Sequence, residues 1–358
     1  MEIKITYNKA NQPKNEKKSY DPRFGTSFTD KMFMMSYDKD IGWHDAKIKD
    51  NEPFVLSPAT LVFHYGQEIF EGMKAYKWDD GRICMFRPDM NIKRFNRSAD
   101  RLCMPAVDEN VFMEALEKLI WEDRDWVPKE HGHSLYIRPT MIAVDPILGI
   151  RPGTKYIFFI IDSPTGPYFP EGVNPVKIWV SDSYVRAVKG GIGEAKTGGN
   201  YASSLKAMNE ARTKGYSQVL WLDGNEMKYV EEVGSMNIFF VEEGKLITPA
   251  LNGSILHGVT RNSILTMAKD LGYTVEEKRV AIEEICKGIT SGKVTECFGC
   301  GTACVISPVG ELSYRDKPYI LNDFKIGPVA RNLYDALTGI QYGKAKDKFG
   351  WVREIKPR

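Results

Sequence analysis

An α+β fold in two domains is what this sequence predicts, and three observations carry the prediction. The first half mixes strand patterns, a hairpin signal and amphipathic helices, without the strict strand–helix alternation of a doubly wound sheet. Residues 163–175 (SPTGPYFPEGVNP) then break the pattern, with four prolines in thirteen positions. Beyond them comes a glycine loop, residues 190–201 (GGIGEAKTGGNY), that carries a single lysine and leads into further strands and helices. At 358 residues the chain is long enough for two cores. The expected division is an N-terminal domain over 1–162, a linker over 163–175 and a larger C-terminal domain over 176–358.

Residues 1–20 are polar and read as a loose arm. Apolar segments follow at 31–37, 59–65, 73–78 and 83–86, the last two separated by the hairpin signal Asp79-Asp80-Gly81. Arg87-Pro88-Asp89 opens a helix over 90–102, with Ile92, Phe95, Ala99 and Leu102 on one face. A second amphipathic helix covers 109–121. Residues 135–143 and 156–162 read as strands, the second apolar on both faces and therefore central. Past the linker, strands are expected at 176–181, 218–223, 237–241 and 245–248. Helices are expected at 201–214, ended by Gly215, at 260–271, ended by Gly272, at 282–291 and at 327–337. Residues 294–305 read as a strand broken by FGCGTAC.

Forty-nine basic residues against 47 acidic ones leave a net charge of +2, which gives no electrostatic reason to expect nucleic acid or a membrane surface as partner. The N-terminus shows no apolar core or cleavage site of a secretion signal. The longest apolar run, 156–161, is too short to span a bilayer. Six cysteines without an export signal point to a reduced, cytoplasmic protein.

The glycine loop has two chemical readings. Gly190, Ala195, Lys196 and Thr197 approach a phosphate loop, but alanine stands where the second glycine lets backbone N–H groups wrap a phosphate. The following Gly-Gly-Asn is a poor start for the helix that such a loop must enter. The alternative is a reactive amine that forms a Schiff base with a cofactor aldehyde. Pyridoxal phosphate would then need a carboxylate for its ring nitrogen, a hydroxyl for its ring oxygen and a phosphate site. Glu232, Tyr201, Thr260 at a helix start and Thr302 in a tight turn are the candidates. Each has a plainer reading: a surface charge for Glu232, core packing for Tyr201, a helix cap for Thr260. Their occurrence together in one half of the chain favours the cofactor. Cys297, Cys300 and Cys304 lack a fourth ligand at metal spacing and read as buried thiols, and His131 and His133 lack an acidic partner, so no metal site is expected.

These segments resemble the branched-chain-amino-acid aminotransferases, pyridoxal-phosphate enzymes of the D-amino-acid-aminotransferase-like fold (fold type IV). The resemblance runs nearly full length, through FGTSFTDKMF, HYGQEIFEGMKAY, FRPDMNIKRFNRSADRL, LYIRP, the lysine loop, QVLWLDG, EEVGSMNIF, NGSILHGVTRNSIL and FGCGTACVISPV. It implies a small N-terminal α/β domain and a larger C-terminal domain with a mixed, barrel-like sheet. It implies Lys196 as the Schiff-base lysine, Glu232 on the ring nitrogen and Tyr201 on the ring oxygen. Arg94, Val259, Thr260 and Thr302 match the phosphate contacts, and Ser235 and Ala303 match backbone recognition of the substrate carboxylate. Phe24, Tyr65, Tyr136, Arg138 and Tyr168 match the substrate pocket. A homodimer is implied, with Tyr65 and the loop Leu148-Gly149-Ile150 reaching across from the partner. The activity implied is ping-pong exchange of the amino group between L-leucine, L-isoleucine or L-valine and 2-oxoglutarate, as in branched-chain amino-acid biosynthesis. Two positions depart from the family pattern. Ser307 replaces the second cysteine of a Cys-x-x-Cys pair that begins at Cys304, and Ile150 replaces a valine.

Overall fold

The computed structural model describes residues 3–7, 19–167 and 173–356 and forms two compact units. The first gathers Met1–Tyr168 with two later segments, Ala195–Gly198 and Ile340–Arg358; the second holds Phe169–Glu194 and Gly199–Gly339. Among the described residues no helix is long and apolar enough to cross a membrane.

The first unit is built on one sheet of β1 (Thr6–Tyr7), β2 (Lys31–Asp38), β3 (Gly42–Asp50), β4 (Glu68–Phe70), β5 (Met73–Lys77), β6 (Ile83–Phe86), β7 (Ser134–Ala143), β8 (Lys155–Thr165) and the C-terminal strand Val352–Ile355. The spatial order is β1-β3-β2-β8-β7-β5-β6, with Val352–Ile355 antiparallel to β6 and β4 paired to β7. The expected hairpin is there: Lys77 faces Ile83, and Gly81 turns the chain at a φ of 89° that a side chain would resist. The central placement of β8 also holds, between β2 and β7. Its Tyr156, Phe158 and Ile160 are fully buried while Ile157, Phe159 and Ile161 are half-buried, so the two faces differ in depth.

Between the strands lie α1 (Leu61–Tyr65), α2 (Pro88–Arg101) and α3 (Glu109–Glu122). Pro88 needs no N–H in the first turn of α2. Asp108 caps α3 by accepting from the N–H groups of Asn110 and Val111. Phe95 of α2, Phe112 of α3 and Phe158 of β8 meet edge to face at 4.7–5.3 Å and join the helices to the sheet. The polar arm is not wholly loose: Thr6 and Tyr7 pair with Lys47 and Ile48. The apolar segment at 59–65 contains the short helix α1.

The second unit contains β9 (Val176–Val180), β10 (Gln218–Leu222), β11 (Val230–Val233), β12 (Met236–Glu242), β13 (Lys245–Pro249), β14 (Val275–Lys278), β15 (Val294–Gly301), β16 (Val305–Tyr314) and β17 (Lys317–Ile320). Six of these close on themselves in the order β9-β10-β11-β12-β15-β16, because β12 pairs with β11 as well as with β15 and β16 pairs with β9. The result is the barrel-like core that the resemblance implies, with no free edge among these six strands. Helices α4 (Gly198–Ala202), α5 (Leu205–Thr213), α6 (Val259–Asp270), α7 (Ile282–Ser291) and α8 (Pro328–Gln341) complete the set. On β9 and β10, Trp179, Val219 and Trp221 pack with Ala207 and Ala211 of α5, while the alternating Ile178, Val180, Leu220 and Leu222 join a separate cluster. The helix expected over 201–214 is two helices, interrupted at Ser203-Ser204.

Two carboxyl groups of the first unit, Asp123 and Asp162, are buried, and neither oxygen of Asp162 finds a hydrogen-bond partner among the described residues. Burial pushes Asp123 up to about 8 and Asp162 well above the usual carboxylate range, the latter with help from Asp123's charge. A raised carboxyl favours the fold below the unfolded value, near 4, and that stability is lost as pH rises through about 8. The melting temperature is therefore expected to decline between pH 5 and 9, and Asp162→Asn to flatten the decline. An equally steep decline in that variant would reject the assignment.

Candidate active site

Lys196 sits in Ala195–Gly198, the short segment that belongs with the first unit. Its backbone is fixed at both ends: the N–H donates to Ser98 Oγ at 2.9 Å, and the carbonyl accepts from the Phe70 N–H at 3.0 Å. The ammonium lies 5.0 Å from the centre of the Phe70 ring. Thr197 donates to the Glu68 carbonyl and the Gly198 N–H to the Glu68 carboxylate, both at 2.7 Å. A Cβ on Gly198 would fall 1.9 Å from that carboxylate, so the close approach requires glycine. Gly-Gly-Asn is a poor helix start by propensity, yet the short α4 begins at Gly198, where the Glu68 carboxylate receives the first N–H.

Arg94 does not stand alone. Its Nε and Nη2 donate to the two oxygens of Glu71 at 2.7 and 2.9 Å, and Asn91 and the Gly72 N–H add bonds of 2.8 and 3.0 Å to Oε2. Glu71 is completely buried. Burial alone would raise its pKa, yet the charges of Arg94 and Lys196 with these hydrogen bonds hold it below the usual value. Sequence reasoning missed Glu71, although an acid between Ile69-Phe70 and Gly72-Met73 in an apolar stretch was a signal.

The pocket candidates of the first unit fall into two groups. Phe24 meets Tyr136 edge-on at 4.7 Å, Arg138 donates to the Tyr136 hydroxyl at 3.1 Å, and the Arg138 guanidinium lies 4.7 Å from the Phe70 ring centre. Gly72 makes room for Tyr136, whose hydroxyl would be 2.0 Å from an added Cβ. Burial raises the pKa of Glu68, with the charge of Arg138 opposing. Apart from these, Tyr65 donates its hydroxyl to the Leu148 carbonyl of the same chain, and Ile150 is 82% exposed. Tyr168 lies outside the described residues.

In the second unit, Glu232 lies inside the strand β11, one turn ahead of β12. Leu220 faces Val233, Trp221 faces Glu232, and Leu222 then faces Val230, which leaves Glu231 as the extra residue of a bulge. Glu232 Oε1 accepts from the Leu256 N–H at 2.8 Å and from Asn237 Nδ2 at 3.3 Å. Its Oε2 is 2.9 Å from Arg186 Nε in a buried ion pair. Arg186 also donates to the carbonyls of Gly193 and Ser254, so one side chain ties the glycine loop, the 252–256 segment and Glu232 together. Arg186 was missed as well, although it stands four residues before the glycine loop.

Thr260 is not the cap of α6. Gly258 is, without a side-chain hydrogen bond, and Thr260 is the second helical residue, so the first-turn N–H groups remain available to an anion. A Cβ on Gly258 would lie 1.9 Å from Asn237 Oδ1. The register Glu232↔Asn237↔Cys300 puts two hairpin turns at the same end of the barrel: Gly234-Ser235 between β11 and β12, and Thr302–Cys304 between β15 and β16. Ser235 is exposed there, Thr302 and Ala303 half-buried; Tyr201 is half-buried in α4. Cys297, Cys300 and Cys304 are buried and outside any disulfide. Burial pushes the thiols of the first two well above their usual range, and Ser307 is buried in β16.

Arg94→Met strands a charged Glu71 without its partner and is expected to cost about 3–5 kcal/mol in chemical denaturation. Adding Glu71→Gln should recover part of that loss. A double variant no more stable than Arg94→Met would show that the pair is not the cause.

The amino-transferase class IV family matches residues 68–312. Branched-chain-amino-acid aminotransferase 2 of Bacillus subtilis is 50% identical over 355 residues, 99% of this chain and 97% of that protein. Branched-chain-amino-acid transaminase 1 of the same organism is 53% identical over 333 residues, 93% of this chain and 94% of the other. Among solved structures, the branched-chain aminotransferase of Escherichia coli is 29% identical with a TM-score of 0.77, covering 90% of this chain and 99% of its own. The branched-chain aminotransferase of Thermoproteus uzoniensis, solved with norvaline, is 26% identical with a TM-score of 0.75, covering 90% of this chain and all of its own. The family match, the fold and these relatives agree, and the chain belongs to the branched-chain-amino-acid aminotransferases of aminotransferase class IV.

Proposed function

We propose that this transaminase exchanges the amino group of L-leucine, L-isoleucine or L-valine with 2-oxoglutarate in a ping-pong cycle that uses pyridoxal 5'-phosphate. The observation that supports it best is the surroundings of Glu232: a buried carboxylate kept beside a guanidinium, next to a helix whose first-turn N–H groups are open. That donor set suits a group with a cationic ring nitrogen and a phosphate. Pyridoxal phosphate, when bound, supplies an aldehyde and a ring that withdraws electrons from the substrate α-carbon.

In this reading Lys196 would hold the cofactor through its amine, and that amine would move the proton at the substrate α-carbon. Its fixed backbone leaves the side chain to make that movement. Glu232 would hold the protonated ring nitrogen, and Arg186, 2.9 Å from its Oε2, would keep the carboxylate in place. Tyr201 bonds the ring oxygen. Arg94, Val259, Thr260 and Thr302 receive the phosphate, with Glu71 as the positioning residue that keeps Arg94 extended. Phe24, Tyr136 and Tyr168 offer a rigid wall to a branched side chain at low entropy cost. Arg138, beside the Tyr136 hydroxyl, takes the second carboxylate of glutamate. Ser235 and Ala303 present backbone N–H groups to the α-carboxylate. We place Tyr65 and Ile150 in the partner's site of a homodimer, which suits the exposure of Ile150. Cysteines outside disulfides suit a cytoplasmic location.

Borohydride reduction of the purified enzyme is expected to fix the cofactor to the peptide that contains Lys196; cofactor on another lysine overturns the reading. Glu232→Gln should retain cofactor and lose turnover by at least a hundredfold, measured as 2-oxo acid formed from L-leucine. Near-normal turnover would remove Glu232 from the role given to it.

A further inference from the structure

Strand register in the first unit sorts β4 and β7 into two faces. Glu68 lies opposite Ile142 and Phe70 opposite Thr140, so these four share one face with Arg138 and Tyr136 further along β7. The other face carries Ile69, Ile137 and Met141, all fully buried in the core. Glu68 is therefore an acid on the same face as the pocket candidates Tyr136 and Arg138. The proposed catalysis gives it no part.

Its carboxyl group is fixed on one side and influenced by a cation on the other. Oε1 accepts from the Gly198 N–H at 2.7 Å, two residues beyond Lys196. The cation is Arg138, whose charge acts on Glu68 against the effect of burial. Arg138 itself bonds to a neutral group, the Tyr136 hydroxyl, and enters no ion pair among the described residues. Of the other acids nearby, Glu71 is occupied by Arg94 and held below its usual pKa. The remaining titratable groups on the bordering elements are Lys74 of β5, Lys196, Arg97 and Arg101 of α2, and His64 and Tyr65 of α1. Glu68 is the acid left to answer the charge on Arg138.

We propose that Glu68 sets the balance between the two substrate classes, its carboxylate countering the Arg138 charge and weakening the hold on a distal carboxylate but not on a branched aliphatic side chain. This rests on the role given above to Arg138. A dicarboxylate that reaches Arg138 meets a like charge at Glu68 and is held best when that group is protonated, so its binding draws a proton from solution. Burial brings Glu68 closer to that state than an exposed acid would be, because it raises the pKa. A leucine side chain carries no charge and draws no proton.

The test is titration calorimetry on the holoenzyme with glutarate and 4-methylvalerate, the carbon skeletons of glutamate and leucine without the amino group. Glu68→Gln keeps an acceptor for the Gly198 N–H and loses the charge. At neutral pH it is expected to raise the ratio of glutarate to 4-methylvalerate affinity roughly fivefold, the effect of one charge felt across several ångströms near a protein surface. Just below neutral pH, in buffers of different ionisation enthalpy, the wild type is expected to take up a fraction of a proton with glutarate that Glu68→Gln does not. His64, Lys74 and the other bordering groups are the same in both proteins, so the difference reports on Glu68. An unchanged ratio or equal proton uptake overturns the proposal. If the variant fails to fold, the wild type decides alone: more protons taken up with glutarate than with 4-methylvalerate is expected, and equal uptake overturns it. Arg138→Met should weaken glutarate at least tenfold. Undiminished glutarate affinity there overturns the role of Arg138 and this proposal with it, whereas loss of glutarate in Arg138→Met with an unchanged ratio in Glu68→Gln overturns the role of Glu68 alone.

Discussion

Accommodating a buried carboxylate beside an arginine is the constraint on which both units depend. Glu71 and Glu232 are each buried, each is paired with an arginine from a different element, and each also accepts from a backbone N–H. An ion pair in such surroundings costs several kcal/mol in desolvation, and its mutual attraction offsets that only when geometry and additional hydrogen bonds are good. The local structure can be understood as meeting that condition. Gly72 brings a backbone donor to Glu71, and the β11 bulge turns Glu232 towards Leu256 and Arg186. Gly258 lets Asn237 approach closely enough to hold the same segment. These positions tolerate little change for electrostatic reasons as much as for packing.

Much of the fold was legible because its pattern is local. The β5–β6 hairpin followed from Asp79-Asp80-Gly81 and α2 and α3 from apolar spacing, and α7 lies over the 282–291 expected of it. What escaped depends on partners distant in sequence. Val352–Ile355 has little strand character until Phe86 and Met85 pair with it, and Thr6–Tyr7 gains order only beside β3. Closure of the barrel rests on β12 pairing on both sides, which no single segment reveals.

The candidate site divides in the same way. Lys196, Glu232 and the region of Thr260 stood out because glycines and helix starts mark them. Their supports, Glu71 and Arg186, did not, since a buried ion pair is a relation between two residues and neither half is informative alone. Two local rules also failed in an instructive manner. Gly198 opens a helix because Glu68, far away in sequence, supplies the anion, and the α6 terminus is left uncapped where a threonine cap would have been the ordinary choice. In both places the local propensity yields to the use made of the helix end.

The anchoring of Ala195–Gly198 has a mechanical consequence. Glycines lie on both sides of this segment, at Gly190, Gly191 and Gly193 and again at Gly199, and two of them are held in turn: Gly193 by Arg186 and Gly199 within α4. The lysine itself is held too, because Ser98 and Phe70 clamp its peptide groups front and back. Its amine is then the tip of a crank with a fixed pivot, whose reach is set by the torsions of four methylenes.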